Sequence, residues 1–212
     1  MSANGGRPSF AEERHLESLG YRLVAGIDEV GRGALIGPVV AAAVILPARL
    51  RKRWVSRVRD SKQLNAAARE YLDGCIREVA VAVGVGVIDN AVIDACGIVA
   101  ATRLAMQSAV EQLSPRPDFL LIDYVKLPEV SLLQKSIKFG DRLCFSIAGA
   151  SIIAKVARDR LMVALDGEYP GYGLAAHKGY GTRAHLEGLR RYGPCPLHRR
   201  SFRPVREVME EA

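Results

Sequence analysis

The segment AGIDEVGRGALIGP, residues 25–38, places two adjacent carboxylates between an apolar run and a glycine-rich turn. The apolar run predicts a buried strand, and the glycines that follow predict a turn with exposed backbone N–H groups. The carboxylates of Asp28 and Glu29 suit hard divalent cations, whereas backbone N–H groups and Arg32 suit phosphate or ribose oxygens. The segment therefore indicates a ligand site, with a polar turn between two strands as the simpler alternative.

Short apolar segments rich in valine and isoleucine lie on both sides of this turn. Residues 21–27 and 39–46 predict two buried strands, which the turn would join as a hairpin. Residues 79–88 alternate Val with Ala or Gly, a pattern typical of a strand in close contact with a neighbour. A further short strand is predicted over residues 119–122, and residues 124–139 are predicted to be mainly loop.

Four helices are predicted from the spacing of apolar residues and from capping residues. Asn65 is a candidate N-cap for the first helix and Thr182 for the last. Asp89 or Asn90 would cap the second helix. The third helix carries small residues that would let it approach the sheet closely. The predicted ranges are 66–80, 90–113, 145–170 and 183–192.

The order of these elements predicts an α/β fold in which helices cover a sheet. At 212 residues, the chain is long enough to bury a sizeable core. Residues 1–20 form a polar N-terminal segment, and residues 21–168 are the predicted catalytic domain. Residues 169–212, rich in Gly, Tyr, His and Arg, are predicted to be a C-terminal extension of helices and loops.

The composition is that of an ordinary soluble protein, with 49% hydrophobic and 25% charged residues. No apolar run has the length of a membrane span, and the polar N-terminus lacks the apolar stretch of a secretory signal. We therefore expect a cytoplasmic protein that does not enter a membrane. The four cysteines are widely spaced without a CxxC pair, which favours reduced thiols over a zinc site or disulfides.

The formal net charge of +7 favours a polyanionic partner, although a modest excess of this kind is also common on solvated surfaces. Residues 49–59 concentrate the positive charge, with six Arg and Lys side chains around Trp54. This stretch fits a basic helix or loop beside nucleic acid. It fits equally a solvated helix face that is anchored by its tryptophan.

Further carboxylates follow a predicted strand or a glycine. Asp123 follows the strand over residues 119–122, and Asp141 follows Gly140. Because separated segments of an α/β fold converge at strand ends, we expect both side chains to meet the first carboxylate pair. Carboxylates this close repel one another unless a cation is present, and oxygen ligands favour magnesium or manganese over zinc. Taken singly, Asp123 could instead cap its loop and Asp141 could be a turn residue.

Six ordered segments carry a family resemblance. They are GIDEVGRGALIGPVVAAAVIL, DSKQL, LIDYVKLP, the GD that precedes FSIAGASIIAKVARDRLM, YPGYGLAAHKGYGT and HRRSF. Together they closely resemble the motifs of bacterial ribonuclease HII, in the same order and over residues 24–202. The resemblance implies a ribonuclease H-like fold, with a mixed central sheet flanked by helices and a C-terminal helical extension.

The resemblance also implies roles for individual residues. The implied catalytic residues, which in the family also bind Mn²⁺ or Mg²⁺, are Asp28, Glu29, Asp123 and Asp141. The implied substrate-binding residues are Gly31, Arg32, Gly33, Lys62, Tyr180, His198 and Arg199. The glycines and arginine of the family's GRG motif read the 2′-hydroxyl at an RNA-to-DNA junction. The family's tyrosine stacks near the first deoxyribose after the ribonucleotide. The segments that contain Lys62 and that contain His198 with Arg199 lie near the bound hybrid in such enzymes.

Three positions depart from the family's usual pattern. Tyr124 stands where glycine is common after the metal-binding aspartate, and Ala34 stands where proline often follows GRG. Gly149 interrupts an alanine-rich run. None of these departures removes a carboxylate, but a bulky Tyr124 beside Asp123 could alter the floor of the site.

The implied activity is that of an endoribonuclease acting on RNA–DNA hybrids and on DNA duplexes that contain ribonucleotides. Two-metal catalysis would cut on the 5′ side of the ribonucleotide and leave 5′-phosphate and 3′-hydroxyl ends. The cellular roles would be ribonucleotide removal and RNA primer removal, and we expect a monomer. Two other functions stay open: a non-catalytic nucleic-acid-binding module, and a different metal-dependent nuclease or strand-transfer enzyme on a similar fold.

Two further groups of residues have structural interpretations. Arg158 and Asp159 lie on the predicted long helix and are expected to form an ion pair or a cap. His177, His185 and His198 are not expected to bind metal, because hard cations prefer oxygen ligands.

Overall fold

The structure is a computed structural model that describes residues 7–211. Five strands form its centre: β1 Val24–Val30, β2 Val39–Ile45, β3 Ala82–Ile88, β4 Phe119–Asp123 and β5 Leu133–Ile137. They lie in one sheet in the order β3-β2-β1-β4-β5. The first three strands pair antiparallel, and β4 and β5 continue the sheet parallel to β1. The predicted hairpin and the predicted mixed sheet are both confirmed.

Eight α-helices surround or extend the sheet within the described range. They are α1 Ala11–Ser18, α2 Ala66–Val79, α3 Asn90–Glu111, α4 Gly140–Leu143, α5 Phe145–Glu168, α6 Leu174–His177, α7 Arg183–Tyr192 and α8 Arg203–Glu210. Short 3₁₀ helices cover Arg53–Arg57 and Ser61–Gln63. No helix between residues 7 and 211 is long and apolar enough to cross a membrane.

The helices form two layers, one on each face of the sheet, so that β2 is buried on both faces. Ala41 and Ala43 pack with α3 on one face, whereas Ala42 and Val44 pack with α5 and α2 on the other. This division follows from the alternation of side chains along a strand. Small residues bring the layers close: a Cβ atom at Gly26 would overlap the backbone of α5. The sheet is therefore fixed between two closely packed helical layers.

The glycines of β3 explain why this strand alternates Val with Gly. Cβ atoms at Gly84 and Gly86 would overlap the carbonyl oxygens of Ala109 and Ala105 on α3. The predicted close contact of this strand with a neighbour is therefore confirmed. The strand begins at Ala82, later than predicted, because α2 continues through residue 79.

The prediction of loop over residues 124–139 is wrong at its C-terminal part. β5 lies there, as an edge strand that pairs with β4 alone. Its sequence, LQKSI, lacks a buried apolar pattern because none of its residues is fully buried. The polar segment predicted over residues 1–20 contains α1, and residues 1–6 of that segment lie outside the described residues.

The basic stretch over residues 49–59 is anchored by its tryptophan. Trp54 is buried, and its ring lies 6.3 Å from the ring of Phe145 at the start of α5. A 3₁₀ helix over residues 53–57 surrounds the tryptophan, and its arginines stay exposed at both ends. The stretch is therefore attached to the core through Trp54 and through Val58, which is buried in the same cluster.

The glycine-rich turn between β1 and β2, residues 31–38, packs against the C-terminal part of the chain. The N–H of Leu35 donates to the carbonyl of Gly179 (2.8 Å), and the N–H of Gly37 donates to the carbonyl of Leu197 (3.0 Å). The turn is thus held between the segment before α7 and the segment after it. The division of the chain at residues 168 and 169 stays a prediction.

Candidate active site

A crevice of about 600 Å³ opens at the carboxyl ends of β1 and β4. Because these strands are parallel neighbours, residues at their ends converge. The predicted site residues that line it are Asp28, Glu29, Arg32, Lys62, Asp123, Asp141 and Tyr180. A larger cavity of about 780 Å³ lies between α2, α5 and α6, but its lining contains none of the four carboxylates. The four candidate catalytic carboxylates therefore all lie in the smaller crevice.

Asp28 is the most deeply placed of the four carboxylates, with 6% of its surface exposed. Its Oδ1 accepts a hydrogen bond from the N–H of Glu29 (2.8 Å). Burial raises the pKa of Asp28 well above its usual range, and the negative charges of Glu29 and Asp123 raise it further. A hydrogen bond from Ser151 opposes this shift. The ionised form of Asp28 is therefore poorly stabilised by the protein alone.

Glu29 has one satisfied and one unsatisfied oxygen. Its Oε1 accepts a hydrogen bond from Nη1 of Arg32 (3.4 Å), whereas its Oε2 is buried and has no hydrogen-bond partner among the described residues. Burial raises the pKa of Glu29, and the charge of Arg32 acts against that increase. A buried acceptor without a donor is costly unless a ligand satisfies it.

Asp123 and Asp141 are brought together by the start of α4. Oδ1 of Asp123 accepts a hydrogen bond from the N–H of Gly140 (2.7 Å), the residue before Asp141. Burial raises the pKa of both carboxyl groups. The negative charge of Asp60 raises the pKa of Asp141 further, while Lys62 has the opposite effect. The end of β4 is therefore tied to a fourth carboxylate that is distant in sequence.

These residues fit a hard divalent cation. The donors are all carboxylate oxygens, their pKa values are raised, and Oε2 of Glu29 lacks a partner. Within residues 7–211, no three His, Cys, Asp or Glu side chains converge closely enough to hold an ion by themselves. Mg²⁺ usually binds through one or two carboxylates plus waters and substrate phosphates, so this spacing agrees with its chemistry.

Three basic side chains that sequence reasoning did not assign to the site also line the crevice. They are Lys138, Arg142 and Lys155. Lys155 follows Ser151 by one helical turn on α5, and Arg158 continues the same face. This polar stripe in an otherwise apolar helix is the signal that could have identified Lys155. The stripe faces the crevice and the glycine-rich turn.

The departures from the usual family pattern have simple structural settings. Tyr124 is 66% exposed and has φ of 56°, a left-handed conformation that glycine adopts more readily. Ala34 is buried and pairs with Tyr180 in an isolated β-bridge. A Cβ atom at Gly149 would lie 3.4 Å from Leu46, which is an ordinary packing distance.

His198 and Arg199 do not reach the surface of the crevice. Both side chains are fully buried. Arg199 donates hydrogen bonds to the carbonyls of Arg32 (3.0 Å) and Gly37 (2.9 Å) in the turn. His198 contacts Nε2 of His185 through its own Nε2 (3.2 Å). These two buried side chains therefore cannot contact a substrate directly. Arg199 supports the glycine-rich turn, and His198 supports the backbone at Tyr180 through His185.

The histidines have defined proton positions. The Tyr180 carbonyl can only accept, so Nδ1 of His185 donates to it (3.0 Å), and Nε2 of His185 is left as an acceptor for His198. Burial and the neighbouring imidazole lower the pKa of His198 to about 4. Burial also lowers the pKa of His185. Both rings are therefore neutral at pH 7.

The prediction for Arg158 and Asp159 was an ion pair or a cap, and the ion-pair alternative is wrong, since the described residues contain no ion pair between the two side chains. Asp159 pairs instead with Lys155 (2.6 Å) and Arg69 (3.3 Å). Arg158 points the other way, because residues adjacent on a helix do not face each other. Its guanidinium donates to backbone carbonyls, including that of Lys178 (2.8 Å).

The fold and the site together define a class of protein. A mixed sheet between two helical layers ends in a crevice where four carboxylates meet basic side chains. Carboxylates that can hold divalent cations, beside positive charges that can hold phosphates, are the equipment of a metal-dependent nuclease with a ribonuclease H-like fold.

Comparison with known proteins gives the family. The family model described as ribonuclease HII matches residues 25–205. A ribonuclease HII of Dehalococcoides mccartyi is 58% identical over 203 residues, which cover 96% of each chain. One of Geobacter metallireducens is 51% identical over 203 residues, which cover 96% of this chain and 94% of the relative. The crystal structure of the ribonuclease H2 from Pyrococcus horikoshii OT3 matches with a TM-score of 0.76 and 26% identity, over 90% of this chain and 98% of that one.

The chain belongs to the ribonuclease HII family. It is therefore a metal-dependent endonuclease that acts on the RNA of RNA–DNA hybrids.

Proposed function

We propose that the protein hydrolyses the RNA strand of RNA–DNA hybrids and also nicks DNA duplexes on the 5′ side of an embedded ribonucleotide, by two-metal catalysis. The products are a 5′-phosphate and a 3′-hydroxyl, and the cellular roles are ribonucleotide removal and RNA primer removal. The observation that carries this proposal is that four carboxylates line one crevice beside a glycine-rich turn, in which Gly33 is exposed and its N–H has no acceptor among the described residues.

Asp28, Glu29, Asp123 and Asp141 are the residues that would hold Mg²⁺ or Mn²⁺. Such cations, when bound, lower the pKa of a coordinated water and stabilise negative charge on the leaving oxygen. Binding them offsets the repulsion between the carboxylates and satisfies the unpartnered oxygen of Glu29.

The basic side chains of the crevice would hold the scissile strand. Lys62 and Arg142 are exposed, and Lys155 is half-buried beside Tyr180. Each of the three can pair with phosphate oxygens, which carry no sequence information. We therefore expect little dependence of cleavage on base sequence.

The glycine-rich turn would supply the selectivity for ribonucleotides. Gly33 is exposed, and its N–H donates to no acceptor among the described residues. Arg32 lies next to it, with its side chain 37% exposed. A free amide can bind the 2′-hydroxyl, the group that separates RNA from DNA. Tyr180, half-buried at the crevice wall, can stack against the neighbouring deoxyribose.

The direct test is cleavage of a labelled DNA duplex that contains one ribonucleotide, with an all-DNA duplex and an RNA–DNA hybrid as companions. Each duplex is incubated with Mg²⁺, with Mn²⁺ and with chelator. We expect a metal-dependent nick on the 5′ side of the ribonucleotide and no cut in the all-DNA duplex. Binding of every duplex without cleavage would support a non-catalytic module, and cleavage of all-DNA would support a different nuclease.

The protein is also proposed to act as a monomer. Light scattering of the purified protein, alone and with the duplex that contains one ribonucleotide, tests this directly.

A further inference from the structure

Two fully buried arginines lie behind the glycine-rich turn. Arg158 and Arg199 are each 0% exposed. Neither forms an ion pair with a carboxylate anywhere in residues 7–211. Burying a charge without a counter-charge is costly, so such residues are uncommon unless the surroundings compensate them or a function requires them.

Backbone carbonyls compensate most of the charge. Arg199 donates from Nε to Gly37 and from Nη1 to Arg32, as described above. Its Nη2 is buried and has no partner among the described residues. Burial, together with the positive charge of Arg158, lowers the pKa of Arg199 to about 9. Asp94, the nearby carboxylate, accepts instead from the backbone N–H groups of Arg200 and Ser201 (2.9 Å each).

The hydrogen bond to Arg32 fixes the orientation of the next amide. A trans peptide unit is planar, and its C=O and N–H point in opposite directions. Because the Arg32 carbonyl points inward to Arg199, the N–H of Gly33 points outward from the turn. Gly33 is exposed, and its amide is the free donor identified above.

We propose that Arg199 is a positioning residue for ribonucleotide recognition: it holds the Arg32–Gly33 peptide so that the Gly33 N–H faces the 2′-hydroxyl of the substrate. This inference rests on the proposed function of the turn. It gives Arg199 a role through the backbone in place of the direct substrate contact predicted from sequence.

Arg158 is a matched comparison, because it is equally buried and holds a different part of the same region. It donates to the carbonyls of Pro38 (3.0 Å), Ile36 (3.3 Å) and Lys178 (2.8 Å), but not to that of Arg32. Its guanidinium lies over the ring of Tyr180, 5.5 Å from the centroid. Tyr180 would contact deoxyribose, which is present in duplexes with and without a ribonucleotide.

The test measures Kd for two duplexes that differ in one 2′-hydroxyl, with wild type, Arg199→Lys and Arg158→Lys. Ca²⁺ replaces the catalytic cation, and a gel checks that the duplexes stay intact. In wild type, we expect the ribonucleotide to strengthen binding about tenfold, the order expected for one hydrogen bond. With Arg199→Lys, this ratio should fall to within about twofold of unity, while the Kd for all-DNA stays the same. With Arg158→Lys, both Kd values should rise together and the ratio should persist.

Chemical rescue separates positioning from a general loss of structure. Arg199→Ala leaves a cavity of guanidinium shape. Guanidinium at millimolar concentration should therefore restore the ratio of the two Kd values, whereas ammonium at the same concentration should not. If this variant does not fold, ¹⁵N-glycine spectra of Arg199→Lys serve instead. In wild type, the chemical shift of the Gly33 amide should change when the ribonucleotide duplex is added and should not change with the all-DNA duplex. In Arg199→Lys, the two duplexes should have the same effect on this chemical shift. Gly33→Ala assigns the signal, since a Cβ atom there meets no atom within 4 Å.

The possible failures are distinguishable. If wild type binds both duplexes equally, the proposed function of the turn fails, and this inference fails with it. If wild type discriminates and Arg199→Lys discriminates equally well, only the role of Arg199 is overturned. If Arg158→Lys also abolishes the ratio, the whole turn has loosened, and a specific role for the Arg32–Gly33 peptide is overturned.

Discussion

The carboxylates of the crevice and the two arginines behind the turn are both groups of like charges with little exposure, but the protein treats them in opposite ways. Five backbone carbonyls of the protein accept hydrogen bonds from the arginines, although burial lowers the pKa of both and Nη2 of Arg199 has no partner among the described residues. Burial disfavours the charged form of the carboxylates as well and raises their pKa values, but these side chains line the open crevice and are not enclosed by hydrogen-bond partners of the protein. The difference agrees with the proposed function, in which the acidic group takes up a cation from outside, whereas the basic group is part of the scaffold.

The largest expected effect comes from Asp28→Asn. We expect cleavage to fall by about 10³-fold or more, because a proposed ligand for the cation is lost. Removing one of several repelling, buried charges should also stabilise the metal-free protein by about 1 kcal/mol. Cleavage assays and thermal unfolding with chelator measure both changes. A variant that fails to fold would instead make this carboxylate structural and would break the comparison.

Removing an internal arginine should have the opposite effect on stability. Arg158→Met leaves three carbonyls without their donor, so we expect a loss of about 3 kcal/mol in the free energy of unfolding. Arg160→Met on the same helix is the matched control, because that side chain is 60% exposed and should change stability by less than about 0.5 kcal/mol. Equal effects in chemical denaturation would contradict a scaffold role for Arg158.

The neutral histidines beside the arginines predict a pH dependence. The pKa of His198 is lowered in the folded state, so the unfolded state binds a proton first as the pH falls. The contribution of His198 is fully present above about pH 6.5 and is lost as the pH falls toward 4. We expect His198 by itself to contribute a loss of about 2 kcal/mol between pH 7 and pH 4.5, against the opposite contribution of the carboxylates whose pKa values are raised. His198→Gln should remove this contribution from the pH dependence measured in urea titrations with chelator, and an unchanged pH dependence would exclude His198 as its source.

The two glycines of the GRG motif are expected to differ in how much an added side chain destabilises the protein, because Gly31 packs against the scaffold and Gly33 is exposed. Gly31 has φ of +92°, and a Cβ atom there would overlap the side chain of Arg158. Gly31→Ala should therefore cost about 2 kcal/mol in stability. Gly33→Ala should cost less than about 1 kcal/mol, since its Cβ atom meets open space. Equal losses of Tm in the two variants would show that Arg158 does not constrain this turn.

The smallest expected effect is at the rim of the crevice. Tyr124 has a positive φ, which glycine adopts without strain. We expect Tyr124→Gly to be more stable than Tyr124→Ala by about 1 kcal/mol, whereas in relaxed backbone alanine is the more stable of the two. Thermal unfolding of the two variants decides the sign. A more stable alanine variant would mean that the backbone relaxes at this position.

Much of the local structure followed from the sequence. The strand, turn and strand around residues 25–38 were predictable because apolar β-branched runs and glycines act locally. Thr182 caps α7 as predicted, and its Oγ1 accepts a hydrogen bond from the N–H of His185 (3.3 Å). The edge strand β5 was not predictable, since its pairing with β4 rather than its own residues creates it.

The sequence by itself determined the family, the acidic set and the GRG turn, because ordered motifs and carboxylates after apolar runs are local patterns. Only the tertiary structure decided which buried side chains support the turn. His198 and Arg199 are read from the chain as polar residues in a basic loop, yet both are fully buried. The partners of Arg199 at residues 32 and 37 lie far away in sequence. Hydrogen bonds to distant backbone carbonyls leave no pattern in the chain, so the inward role of this arginine appears only when the turn and the C-terminal segment pack together.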